Sequence, residues 1–132
     1  QVADFDLLVG GARVTGATYK SWNGSTAGNT SSNTEYGFGV EVAANAGDSS
    51  TSTKYLDSRY VTGGLVGLWM DTATPKPVGG YRWYTANDFT NRDMTAWKLY
   101  GSLDNSAWTL LSTVTGFTPT TSRLALAGTW TV

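Results

Sequence analysis

At 132 residues the chain is long enough for one domain with its own apolar core, and a single unit over 1–132 is expected. Nine basic side chains against ten acidic ones leave a net charge of −1, so there is no electrostatic case for nucleic acid, and no apolar run approaches the roughly 20 residues that would insert a helix into a membrane. The lack of His and Cys removes the commonest general base, the imidazole metal ligand and all thiol chemistry.

Aromatic residues make up 13% of the chain and charged ones only 14%, so Thr, Ser, Asn and Gly must cover the surface. That dress suits an extracellular or virion-surface protein that meets sugars. Without an initiator Met or a signal peptide, the chain reads as a domain of a longer or multimeric parent.

Taken in chain order, the predicted elements are short and β-rich. "VADFDLLV" alternates in part, and "ARVTGATY" alternates across Val14 and Tyr19. Residues 20–39, "KSWNGSTAGNTSSNTEYGFG", form a long loop too polar to build core, although Trp22, Tyr36 and Phe38 sit in it. It carries N-x-S/T sequons at Asn23 and Asn29. "GLVGLWMD" is nearly continuous in apolar residues and predicts a strand buried on both faces. "VGGYRWYTA", "AWKLYGSLD", "AWTLLSTVTG", "SRLALAG" and "TWTV" complete about eight strands, separated by Gly, Asn, Asp and Pro. Helical periodicity is nearly absent. The expectation is an all-β, antiparallel β-sandwich, with Trp69, Trp97 and Trp108 in its core and Trp83 ambiguous.

Two stretches carry more specific information. "EVAANAGDSSTSTKYLD", Glu41 to Asp57, matches a pattern of irregular spacing in register, and "ANDFTNRDMTAWKLYGSLDNSAW", Ala86 to Trp108, matches its second half with small shifts. In the first, Glu41, Asn45, Asp48, Thr53, Lys54 and Tyr55 match; in the second, Asn87, Asp88, Arg92, Asp93, Trp97 and Trp108 do. Together they resemble the discoidin-like, coagulation-factor C-type family of galactose-binding-like jelly-roll sandwiches, which includes many carbohydrate-binding modules. There are departures. Gly47 stands where the pattern has a buried aromatic, Met94 where it has Pro, and Ser49 and Asn105 where it has glycines. Joined end to head, "SRLALAGTWTV" and "QVADFDLL" read as the closing run of such domains. The expectation is a circularly permuted strand order, with the first strand beside that of Trp130 or closing onto the Asp48 loop; a piece cut from a tandem array out of frame with the fold would read the same.

The resemblance implies a structural calcium ion, held by Asp48, Thr53, Asn45 and Ser50 and closed by Asp4 from the first strand. Calcium takes six to eight hard oxygens, carbonyls among them. Asp4 is one methylene shorter than the family's Glu, and an Asx-turn at Asp48 would serve without an ion. The resemblance also implies a glycan at loops on one end. Sugar recognition needs an apolar platform and planar polar groups. Asn87, Asp88 and Arg92, with Phe89 or Trp83 as platform, are the candidates, joined by Arg59, Tyr60 and the aromatic Trp22. Asp93 reads equally as a turn cap, with Arg92 its partner. No catalysis is expected: a Ser-His-Asp arrangement needs a histidine, and Asp88 with Asp93 lacks a cleft. The function implied is a non-catalytic carbohydrate-binding module of an extracellular enzyme or a phage receptor-binding or tail protein. The alternative is the same sandwich as a structural or protein-interaction module without a sugar site.

Overall fold

The computed structural model describes residues 1–22, 36–59 and 65–132; the sequons at Asn23 and Asn29, most of the long loop and Tyr60 lie outside the described residues. Among those described, the protein is all-β, with two single 3-10 turns at Ala43–Gly47 and Thr90–Arg92 and no α-helix. The strands are β1 (Asp4–Val9), β2 (Ala12–Arg13), β3 (Thr18–Ser21), β4 (Leu68–Asp71), β5 (Gly80–Tyr84), β6 (Trp97–Gly101), β7 (Thr109–Val114) and β8 (Leu126–Thr131). They form one sheet in the order β2-β1-β5-β8 and two pairs, β3-β4 and β6-β7, and every named strand pairing is antiparallel. No helix among the described residues is long and apolar enough to cross a membrane.

Local chemistry explains several boundaries. Gly10 and Gly11 both have positive φ, 58° and 82°, the combination a two-residue hairpin needs, and they set Val9 opposite Ala12. The run predicted as one strand over 12–19 breaks in two, because Gly16 at φ 76° turns the chain between β2 and β3. At the other end the two predicted strands "SRLALAG" and "TWTV" merge into β8, which begins only after Leu124, itself left-handed at φ 56°. The apolar run 64–71 is not buried on both faces. Among the described residues of this run only Leu68–Asp71 is strand, its described pairing is with β3, and Leu65 and Val66 face solvent.

The period of two along β1 and β5 separates two chemistries. Phe5 and Leu7, opposite Trp83 and Tyr81, lie on one face; Asp4 and Asp6, opposite Tyr84 and Arg82, lie on the other. The apolar face carries the core. Trp83 has no solvent exposure; Phe5 stacks on Tyr81 at 5.7 Å, and Tyr81 stacks on Trp130 of β8 at 5.4 Å. Trp97 brings in the β6-β7 pair, edge-on to Trp83 and Trp130 at 6.0 and 4.9 Å, and its indole N–H donates to the Tyr81 hydroxyl at 2.9 Å. Such aromatic pairs each contribute about 0.5–1.5 kcal/mol beyond their burial. Trp69 and Trp108 meet edge-on at 5.1 Å but stay half-buried, outside the main cluster.

Three of the departures from the sequence pattern can be placed in the structure. An aromatic at position 47 has no room, because the Tyr19 ring fills that space from β3: a Cβ on Gly47 would lie 2.0 Å from Tyr19 Cε2. The glycine positions of the pattern keep left-handed backbone without glycine, at Ser49 (φ 67°) and Asn105 (φ 57°). β1 does not pair with β8, since β5 lies between them; it meets the 43–47 turn instead, and Val2 bridges Tyr55.

Candidate functional site

The loop between β5 and β6 is shaped by hydrogen bonds from residues far away in sequence. The Asp88 carbonyl accepts from Arg123 Nη1 at 3.1 Å and from Gln1 Nε2 at 2.7 Å, and the Phe89 carbonyl accepts from Gln1 Nε2 at 3.0 Å. The Gln1 backbone nitrogen donates to the Arg92 carbonyl at 2.6 Å. Below the loop, the buried Asp93 carboxylate takes Arg123 Nη2 at 2.5 Å and Gln1 Nε2 at 3.3 Å. The partner expected for Asp93 was Arg92; Arg123 takes that place, and the Arg92 guanidinium lies instead 4.0 Å over the Phe89 ring. Burial pushes the Asp93 carboxyl above its ordinary range, against the pull of Gln1 and Arg123.

Within this frame Phe89 adopts φ 32°, ψ 81°, a left-handed conformation that costs a non-glycine residue of order 1–3 kcal/mol. The residue remains 58% exposed. Asn87 is also exposed, while the half-buried Asp88 carboxylate binds Lys54 Nζ at 2.6 Å. Lys54 is itself buried and reaches Glu41 at 3.1 Å with the same ammonium. Glu41 bridges Phe38, whose side chain is 65% exposed, so one lysine links two loops that each present a phenylalanine to solvent.

The remaining predicted ligand residues form a second group. Arg59 is committed to Asp57, donating from Nε to Oδ1 at 2.9 Å and from Nη2 to Oδ2, and it donates to the Trp22 carbonyl at 2.6 Å. Its guanidinium also covers the Tyr36 ring at 3.9 Å. Trp22 does not stand out into solvent: it is half-buried, its backbone N–H donates to the Gly67 carbonyl at 3.1 Å, and its ring lies against Gly67. Tyr60 lies outside the described residues. Asn87, Asp88 and Arg92 therefore share one loop with Phe89, whereas Arg59 and Trp22 brace another part of the chain.

Each of the five predicted calcium ligands has a hydrogen-bond partner within the chain. Both Asp48 oxygens are engaged within the loop, Oδ1 by the Ser50 N–H at 2.8 Å and Oδ2 by the Thr53 hydroxyl at 2.6 Å. This is the Asx-turn alternative. The Asn45 amide donates to the Val40 and Lys54 carbonyls at 3.0 and 2.9 Å. Asp4 faces a cation already in the chain. Arg13 Nη1 and Nη2 lie 3.2 and 3.3 Å from its two oxygens, and Nη2 also donates to the Gly47 carbonyl at 2.8 Å. Arg13 Nε lies 2.8 Å from Asp6 Oδ1, and Asp6 Oδ2 accepts from Arg82 Nε at 2.7 Å. Burial, and next the neighbouring Asp6, raise the Asp4 carboxyl to about 6 in spite of Arg13. Among the described residues no group of three or more acidic side chains is placed to hold a metal ion.

Sequence reasoning missed Arg13 and Arg123 altogether, and Lys54 entered only as a pattern match. Arg13 and Arg123 stand outside both pattern stretches, so only their three-dimensional neighbours reveal them. A depression of about 110 Å³ at the opposite end of β6, lined by Asp71, Thr72, Ser102 and Leu103, is well below the roughly 300 Å³ at which ligand pockets begin. No protein-family model, curated protein or solved structure matches this chain.

Proposed function

We propose that the chain is a non-catalytic carbohydrate-binding module, with the Asn87–Arg92 loop as its glycan contact. The observation that carries this reading is Phe89: a large apolar ring held in solvent on left-handed backbone, in a loop whose carbonyls are fixed from outside. A ring held so offers a platform for the C–H face of a sugar, at little further ordering cost. Asn87 beside it can bond a pair of hydroxyls, and the Arg92 guanidinium stacks on one face of the ring, so the sugar would take the other. The left-handed backbone at Ser49 and Asn105, where the sequence pattern carries glycine, also supports the reading. So does the state of the carboxylates. Asp88 is paired with Lys54 and Asp93 is buried against Arg123, which is unlike the accessible acid and base of a glycosidase. The setting that fits is a larger extracellular enzyme or a phage receptor-binding or tail protein.

A glycan array probed with the wild type, Phe89→Ala and Asn87→Ala tests this. At least one glycan class should bind, and Phe89→Ala should weaken it roughly tenfold or more, which corresponds to about 1.4 kcal/mol. Melting curves of the variants check that the fold is kept. Wild-type binding retained by Phe89→Ala would move the site elsewhere. Silence across the array would favour the second reading, a protein-contact module, for which Leu124, Leu126 and Val132, exposed at and around β8, provide apolar surface.

A further inference from the structure

The calcium ion implied by sequence would join the turn at 43–53 to the first strand, and in this protein that junction is made by Arg13. Three nitrogens of its guanidinium face four oxygens: both of Asp4, one of Asp6 and the carbonyl of Gly47. A strand carboxylate and a turn carbonyl are the kinds of donor that a calcium shell uses. Here they converge on a side chain from β2, placed by the Gly10–Gly11 hairpin so that Arg13 pairs with Leu8 and reaches back across β1. Asp4, Asp6, Arg13 and Arg82 together carry no net charge, and both carboxylates are buried. A divalent ion added to this set would meet two guanidinium groups.

We propose that Arg13 is a built-in cation that replaces a structural metal ion, tying the Ala43–Gly47 turn to β1 and making the fold independent of calcium. Arginine suits the task, because its planar fork can serve a carboxylate and a carbonyl together and stays charged at any working pH. It also follows that removing the guanidinium should leave behind two carboxylates and a carbonyl, a vacancy of hard oxygens.

Thermal unfolding of the wild type, Arg13→Ala and Arg13→Lys, each with excess EDTA or excess calcium at matched ionic strength, tests the proposal. The wild-type midpoint should agree within about 1 °C between chelator and calcium, whereas Arg13→Ala should melt on the order of 10 °C lower, as expected for breaking a buried ion pair. Calcium should restore part of that loss in Arg13→Ala and leave the wild type unchanged. A wild-type midpoint that falls in EDTA and recovers with calcium would overturn the proposal. So would an Arg13→Ala protein as stable as the wild type, or one indifferent to calcium. Should Arg13→Ala fail to fold, Arg13→Lys decides the matter. It keeps the charge but loses the fork, so it should melt below the wild type; equal midpoints would refute the bridging role.

Discussion

Replacing Gly47 by alanine should cost far more than one methyl group suggests. The new Cβ would lie 2.0, 2.2 and 2.6 Å from Tyr19 Cε2, Cδ2 and Cζ, well inside the roughly 3.5–4.0 Å at which carbon atoms attract. Tyr19 has little freedom to retreat, being buried with its hydroxyl donating to the Phe5 carbonyl at 2.8 Å. Pushing the ring aside is an overpacking change of about 1–3 kcal/mol, and losing its buried hydrogen bond adds about 1 kcal/mol. A total near 3 kcal/mol should lower the melting midpoint of a 132-residue domain by about 10 °C. Circular dichroism melts of wild type and Gly47→Ala measure this directly. A stronger form of the test moves the aromatic ring back to the turn. Gly47→Phe and Tyr19→Ala should each be severely destabilising, yet the double variant should recover about half of their summed cost or more. A Gly47→Ala midpoint within about 2 °C of wild type, or strict additivity in the double variant, would refute the claim that Tyr19 occupies the position-47 space.

Two more predictions concern backbone and charge. Ser49→Gly should stabilise the protein by up to about 1 kcal/mol in urea unfolding, because glycine removes the steric cost of the left-handed conformation at φ 67°; a destabilised variant would mean that the serine side chain contributes more than the strain. Asp57 should govern part of the acid stability. Burial pushes its carboxyl up, but bonds from the Arg59 side chain and backbone and from the Tyr55 hydroxyl outweigh this and hold it below its ordinary 3.8. Because the folded value is depressed, the stabilisation is complete above 3.8 and is lost as pH falls through the lower folded value. Melts from about pH 7 down to pH 2 should show Asp57→Asn less stable than wild type at neutral pH, with the gap closing in acid; a gap independent of pH would contradict the assignment.

The β architecture could be read from alternation and turn residues because those are local: Phe5 and Leu7 against Asp4 and Asp6 state the two faces of β1 before any partner is known. Strand limits were less legible. Gly16 inside an alternating run, and Leu124 in a left-handed conformation, shift the boundaries by backbone geometry that residue type signals only weakly. The run around Leu65 and Val66 looked like core because apolar content says nothing about which sheet lies over it, and none covers these two residues. Trp83 was ambiguous for the same reason: its full burial depends on Trp97 and Trp130, which arrive from other strands. The loop holding Asn87, Asp88 and Arg92 was singled out from its motif. The partners that fix it were not, since Lys54, Arg123 and Gln1 reach it across sequence separations of 34, 35 and 87 residues. Arg59 and Trp22 were chosen for residue types suited to a sugar, and residue type alone did not disclose that Arg59 pairs with Asp57 or that the Trp22 backbone bonds Gly67.

The clamps on the Asn87–Arg92 loop mostly grip backbone. Gln1 and Arg123 hold the carbonyls of Asp88, Phe89 and Arg92, and the side chains of Asn87, Phe89, Thr90 and Asn91 take no part in those bonds. The outline of the loop and the chemistry it displays are therefore written in different parts of the chain. If the loop is the glycan contact proposed above, positions 87 and 89–91 should accept other residue types while the carbonyls stay anchored, and this hexapeptide would serve as a cassette for altering specificity without redesigning the fold.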